Sequence, residues 1–197
     1  MRLGELNALD TEVAERELLR CCGSTQWARE MAASRPFDSA ETMAQTGDTI
    51  WSSLERVDWL EAFAAHPRIG ANAEAPAATP SGLPRGVSDS SRRGRGPGAS
   101  AEKVDGSPRT EWATQEQSGV ASAPDEVRAR LAASNRDYEA RFGYIFIVCA
   151  TGKSAGEMLA LLDGRLTNDP DEELHIAAEE QRKITRLRLA KLLDARH

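Results

Sequence analysis

Residues 142–152 read FGYIFIVCATG, and the class of the fold turns on them. Tyr144, Ile145, Phe146, Ile147, Val148 and Cys149 form the one strongly strand-like run in the chain, aromatic and β-branched residues bounded by Gly143 and Gly152. A strand needs partners to satisfy its N–H and C=O groups, and even a two-stranded pair is marginal in water. No second run of this kind occurs in the 197 residues. The sequence therefore predicts an all-α protein, a single-domain helical bundle enclosing one short buried extended segment. Without a ladder, the main-chain groups of that segment would be free to bind something.

Helical signals surround this run on both sides. Leu6, Leu9, Val13, Leu18 and Cys22 repeat at three-to-five-residue spacing until Gly23 and Ser24 break the pattern. Trp27 to Ala33 reads as a short helix ended by Arg35-Pro36, and Asp38 and Ser39 offer caps for a helix to about Leu54. Asp58 with Glu61 suggests a capping box for the helix that leads to His66. Pro124 and Asp125 open a helix to about Arg141, stopped by Phe142-Gly143. Ser154 and Glu157 form a second capping box, ahead of Leu159, Leu162 and Leu166. Asp169-Pro170 starts the last helix, with proline at the first helical position, and it runs to about Leu193.

That last helix carries an inward stripe at three-to-four spacing: Leu174, Ala177, Gln181, Ile184, Arg188 and Leu192. An arginine on an apolar stripe must meet an anion, because a desolvated unpaired charge is very costly. Arg188 is thus either a structural salt-bridge partner or a clamp for a ligand carboxylate.

Between about residues 71 and 111 the composition changes. The segment holds six Gly, five Pro and six Ser, with Leu83, Val87 and Val104 its only large aliphatics. Such a stretch buries too little apolar surface to offset its ordering entropy, so it reads as a disordered or loosely packed insertion within one domain spanning 1–197. A local basic cluster in it, Arg85, Arg92, Arg93 and Arg95, is largely balanced by Asp89, Glu102, Asp105 and Glu111. A solvated loop fits this better than a nucleic-acid-binding arm, and the net charge of −6 agrees.

Forty per cent hydrophobic residues and no apolar run near the roughly 20 residues needed to span a bilayer predict a protein with no membrane segment. The three cysteines, Cys21, Cys22 and Cys149, make neither a disulfide framework nor a metal-ligand spacing. They read as idle thiols in a reducing compartment. With a polar amino-terminal stretch that lacks a signal-peptide core, the expectation is a cytoplasmic protein.

His66, one of three histidines, lies in the run His66, Pro67, Arg68, Ile69, Gly70. Proline drives the residue before it out of the α region, so the imidazole sits where a helix must stop. Such a place suits either a helix-end cap or a proton carrier presented to a substrate. Glu116 and Gln117 precede Gly119 after the insertion, a pairing common on exposed helices and weak by itself.

Taken in order, CCGSTQWAREMAASRPF (21–37), DWLEAFAAHPRIG (58–70), EQSGV (116–120), FGYIFIVCATGKS (142–154) and EEQRKITRLRL (179–189) resemble one family. It is the 2-oxo-4-hydroxy-4-carboxy-5-ureidoimidazoline (OHCU) decarboxylase family, which catalyses the last step from urate to allantoin. The likeness covers nearly the whole chain outside the insertion. It implies an all-helical homodimer acting on a small molecule without cofactor or metal. His66 falls on the family's catalytic histidine and Pro67 on a substrate contact. Glu116, taken as catalytic, and Gln117 match the polar pair that grips the ligand. Phe146, Ile147, Val148, Cys149 and Ala150 match the segment whose main chain meets the substrate ring, and Arg188 matches the arginine of the final helix.

The implied chemistry suits these residue types. The substrate's ring C=N bond is an electron sink, so no prosthetic group is needed to hold the carbanion charge. The protein must orient the carboxylate, exclude water and move protons. His66 would carry the proton while Glu116 orients a hydroxyl or ureido group. Protonation on one face would give the S enantiomer of allantoin. Ala113 departs from the pattern, standing among the substrate contacts where many members have serine. The lost hydroxyl bears on affinity by about 1 kcal/mol more than on reaction type. Two other readings remain open: a helical hydrolase of a ureido or imidazoline compound, and a non-catalytic binding module on the same fold.

Overall fold

A computed structural model describes residues 1–69, 112 and 123–194. Eight helices occur among the described residues: α1 (Leu3–Ala8), α2 (Thr11–Cys22), α3 (Thr25–Ala33), α4 (Ala40–Ser53), α5 (Arg56–Ala64), α6 (Asp125–Phe142), α7 (Ala155–Arg165) and α8 (Pro170–Asp194). There is no strand among them, and the architecture is all-α as the lone strand-like run predicts. The insertion expected at about 71–111 lies outside the described residues, as do Ala113, Glu116 and Gln117.

Local chemistry sets most of the helix ends. Ser39 accepts the Thr42 N–H at α4, and Ser154 with Glu157 closes the capping box of α7. Gly143, at φ 80°, ends α6 in the left-handed region where glycine carries no Cβ penalty. Two expectations need correction. The first helical pattern is two helices, broken at Leu9-Asp10, because the Arg35 guanidinium reaches back to the Leu6 and Leu9 carbonyls at 2.7 and 2.8 Å. A distant arginine thereby satisfies carbonyls that a continuous helix would have used. The capping box of α5 is Glu55 with Asp58, one turn earlier than Asp58 with Glu61. Glu61 instead accepts from Thr25 N–H and Oγ1 at 3.0 and 2.6 Å, tying α5 to the start of α3.

The central element is α8, which packs on α2, α4 and α5, while α6 pairs with α7. Every member of its anticipated stripe, Leu174, Ala177, Gln181, Ile184, Arg188 and Leu192, is buried. Buried indoles keep their N–H groups satisfied as burial demands: Trp27 donates to Gly47 O and Trp51 to Ala178 O, both at 2.9 Å. A second cluster forms where Tyr138 of α6 meets Phe142, Tyr144 and Phe146 at centroid distances of 4.7, 5.9 and 5.2 Å.

Candidate active site

The run after α6 lies outside any helix, and its apolar side chains are buried or nearly so, from Tyr144 at 7% through Phe146, Ile147 and Val148 at 3, 2 and 6%. It is not as free as a strand without a ladder would be. Arg165 Nη1 donates to Ile147 O at 2.8 Å, and Glu180 accepts the Cys149 N–H at 2.8 Å. Lys153 Nζ donates to Cys149 O at 2.7 Å. Side chains of α7, of α8 and of the turn before α7 do the work of the missing neighbour strand at these positions.

Behind the run sits a buried polar network. Glu173, fully buried, pairs with Arg165, accepts the Tyr138 hydroxyl, and takes Asn168 Nδ2 at 2.8 Å. The Arg165 guanidinium also lies 4.7 Å from the Phe146 ring centroid, a cation–π contact. Burial first, and the hydrogen bond to Glu173 second, push the Tyr138 phenol far above its ordinary range, so it remains a donor. The sequence reading missed this group. Arg165 and Glu173 sit eight apart in a polar stretch and look like two more surface charges.

His66 follows the end of α5, its N–H bonded to Phe63 O at 3.1 Å. The imidazole is half-buried with Nε2 shielded from solvent, while Pro67 is exposed. The turn is fastened to α6 twice. Arg68 makes a two-point pair with Glu139 at 3.0 and 2.7 Å, and Asn135 Nδ2 donates to Ile69 O at 3.3 Å. The Arg68 guanidinium holds the Glu139 carboxyl below the usual carboxylate range. Phe63, one turn before His66, stacks on Tyr144 at 5.4 Å, so the end of α5 abuts the strand-like run.

The other wall is the corner between α2 and α3. Gly23 has φ +98°, and a Cβ there would stand 2.8 Å from the Ala65 Cβ, the residue beside His66. Only glycine permits both the left-handed turn and this approach. Gln181 of α8 donates to Cys22 O at 3.2 Å. Arg188, 1% exposed, lies close enough to Cys21 to act on its thiol. Burial still dominates there, pushing the thiol up to about 12. The Cys21–Gly23 corner is thus the shared neighbour of the His66 turn and of the α8 stripe that carries Arg188, and Glu180 extends α8 to the strand-like run. His66, Pro67, residues 146–150 and Arg188 are brought to connected elements. Trp112 lies under the Arg20 guanidinium at 5.3 Å, which ties that residue to α2.

A separate groove of about 250 Å³ opens between α2 and α3, lined by Glu12, Glu15, Arg16, Leu19, Thr25 and Ala28. It contains none of the anticipated site residues, and two of its side chains are carboxylates.

Comparison with known proteins gives this arrangement its relatives. The sequence model of the family described as OHCU decarboxylase matches residues 7–83 and 98–190. The chain belongs to the OHCU decarboxylase family. Among curated relatives, the uric acid degradation bifunctional protein TTL of Arabidopsis thaliana is 40% identical over 183 residues, 93% of this chain and 48% of its own length. The 2-oxo-4-hydroxy-4-carboxy-5-ureidoimidazoline decarboxylase of Amia calva is 36% identical over 80 residues, 41% of this chain and 46% of its own. The chain spans about half the length of these two curated relatives. A crystal structure of an OHCU decarboxylase in the presence of (S)-allantoin is similar with 36% identity and a TM-score of 0.65, covering 90% of this chain and 96% of that one.

Proposed function

We propose that this protein decarboxylates 2-oxo-4-hydroxy-4-carboxy-5-ureidoimidazoline to (S)-allantoin in urate breakdown, without a cofactor or metal, and that His66 carries the proton. Family membership over both halves of the chain supports the reaction. The placement of His66 carries the role assigned to it. An imidazole whose Nε2 is shielded from water, on a turn pinned at Arg68 and Ile69, is held in one position for proton transfer.

In this reading the substrate carboxylate leaves as carbon dioxide and its electron pair passes into the ring C=N system. The ring nitrogen takes a proton, the hydroxyl-bearing carbon gives up its O–H proton to become the ring carbonyl, and His66 delivers a proton to one face of the adjacent, ureido-bearing carbon. Glu116 orients the hydroxyl or ureido group beside Gln117, and Pro67 and the small Ala113 shape the approach. The main chain of Phe146 to Ala150 meets the ring. Since Ile147 O and both Cys149 groups already have partners, the ring-facing groups come first from Phe146 and Val148, whose groups point to the opposite edge of extended backbone. Arg188 takes the carboxylate-clamp role. The groove lined by Glu12, Glu15 and Arg16 is a poor alternative site, because its two carboxylates outnumber its one cation and disfavour an anionic substrate.

We further place the protein in the cytoplasm as a homodimer. The sequence spacing of Cys21, Cys22 and Cys149 makes no disulfide framework, which suits a reducing compartment, and no helix among the described residues is long and apolar enough to cross a membrane. The dimer rests on the family likeness and is checked by light scattering. The decisive experiment generates the labile substrate from urate with uricase and the cognate hydrolase, then follows carbon dioxide release and product chirality. Accelerated formation of (S)-allantoin is expected. Racemic product at the spontaneous rate would refute the assignment.

A further inference from the structure

Three side-chain anchors hold the strand-like run among the described residues. Extended backbone turns the N–H and C=O of successive residues to opposite edges. The anchored groups, Ile147 O, Cys149 N–H and Cys149 O, belong to residues two apart and thus share an edge. Of the three anchors, Glu180 is singular: it is the acceptor, and it sits on α8 next to Gln181, which bonds Cys22 O on the opposite wall. Burial raises the Glu180 carboxyl, but Lys183 at 2.6 Å, the Cys149 N–H and Lys153 outweigh it and leave the group below the usual carboxylate range. It is a fixed anion.

We infer that Glu180 and Arg165 are positioning residues for the reaction: by taking the inner edge of residues 147–149 they hold the outer edge of the run at a fixed distance from the Cys21–Gly23 corner. The inference rests on the proposed function in so far as the run contacts substrate. Neither side chain need touch the ligand. Arg165 is locked to Glu173 and Tyr138 on the far side of the run, and Glu180 spends both oxygens on Cys149 N–H and Lys183. A strand normally obtains this rigidity from a ladder. Here three charged side chains, Arg165, Glu180 and Lys153, supply it, with the strength of hydrogen bonds to ionised groups.

The test compares wild type with Glu180→Ala, Glu180→Gln and Arg165→Lys. Glutamine keeps an acceptor for the Cys149 N–H, alanine does not, and lysine keeps the charge toward Glu173 without the reach to Ile147 O. Glu180→Ala should lower kcat/KM by about tenfold, the size of one lost hydrogen bond to a charged group. It should also speed amide exchange at Cys149 by a similar factor, with the melting temperature and the α8 amides unchanged. Glu180→Gln should recover most of both. Arg165→Lys should loosen the same run. Wild-type exchange and wild-type kcat/KM in Glu180→Ala would overturn the inference. So would equal impairment of Ala and Gln accompanied by a lower melting temperature, the pattern of a merely structural carboxylate. If the wild type does not decarboxylate the substrate, the proposed function fails. Exchange at Cys149 and the affinity for (S)-allantoin then decide the positioning role: unchanged values in Glu180→Ala overturn it, and changes in both uphold it.

Discussion

Replacing Glu173 with glutamine removes one charge and almost no volume from the protein. Glu173 is fully buried and receives three donors: Arg165, the Tyr138 hydroxyl and Asn168. Glutamine offers a single acceptor oxygen and turns an amide N–H₂ toward donors already there. Arg165, with a side chain only 10% exposed, would be left as a buried cation without its counter-charge. Breaking a buried pair from one side costs about 3–5 kcal/mol, since the surviving charge stays desolvated. For a chain of this length each kcal/mol lowers Tm by roughly 2–4 °C, so a fall of roughly 10 °C is expected. Urea unfolding followed by circular dichroism gives the free energy directly. The cycle with Arg165→Met completes the argument, because removing both charges should cost less than the sum of the single changes. A loss below about 1 kcal/mol in Glu173→Gln would show that the network is not the desolvated pair described, since that is the range of solvent-exposed pairs.

His66→Asn should lower kcat by about 10²–10⁴-fold with the melting curve unchanged; steady-state rates within a few-fold of wild type would remove His66 as the proton carrier. Arg188→Ala should raise KM more than Arg188→Lys does, although lysine lacks the bidentate fork; if both variants melt early and KM stays the same, Arg188 is a structural ion-pair residue and no clamp. The Cys21 thiol, raised by burial to about 12, binds its proton more tightly folded than unfolded. The stability it contributes is full below the ordinary thiol value near 9 and is lost as pH rises from there toward 12. Native alkylation at pH 8 should accordingly modify the half-buried Cys149 first and spare Cys21 until unfolding, a ranking that mass spectrometry reads residue by residue.

Sequence by itself determined the class of the fold, because that rests on local rules. A lone strand-like run cannot make a sheet, and serine caps, left-handed glycines and a three-to-four apolar stripe mark helices from within a few residues. It also determined that Arg188 and Gln181 face inward, since the stripe on α8 has one period and they sit on it. His66 was legible for the same reason, as a proline fixes where its helix ends.

Tertiary structure decided what distant residues do to one another. Arg35 splits the first helix by capturing carbonyls more than 25 positions away, and Glu61 abandons a local cap for Thr25. The need for Gly23 is apparent only when Ala65 stands 2.8 Å from where its Cβ would be. Arg165, Glu173 and Glu180 carry no local signal, because a charged residue on a helix looks alike whether it meets water or a buried partner. Which of these it meets depends on desolvation and on charges brought close by the fold. That is why main-chain groups of Ile147 and Cys149, expected to be free, are already held.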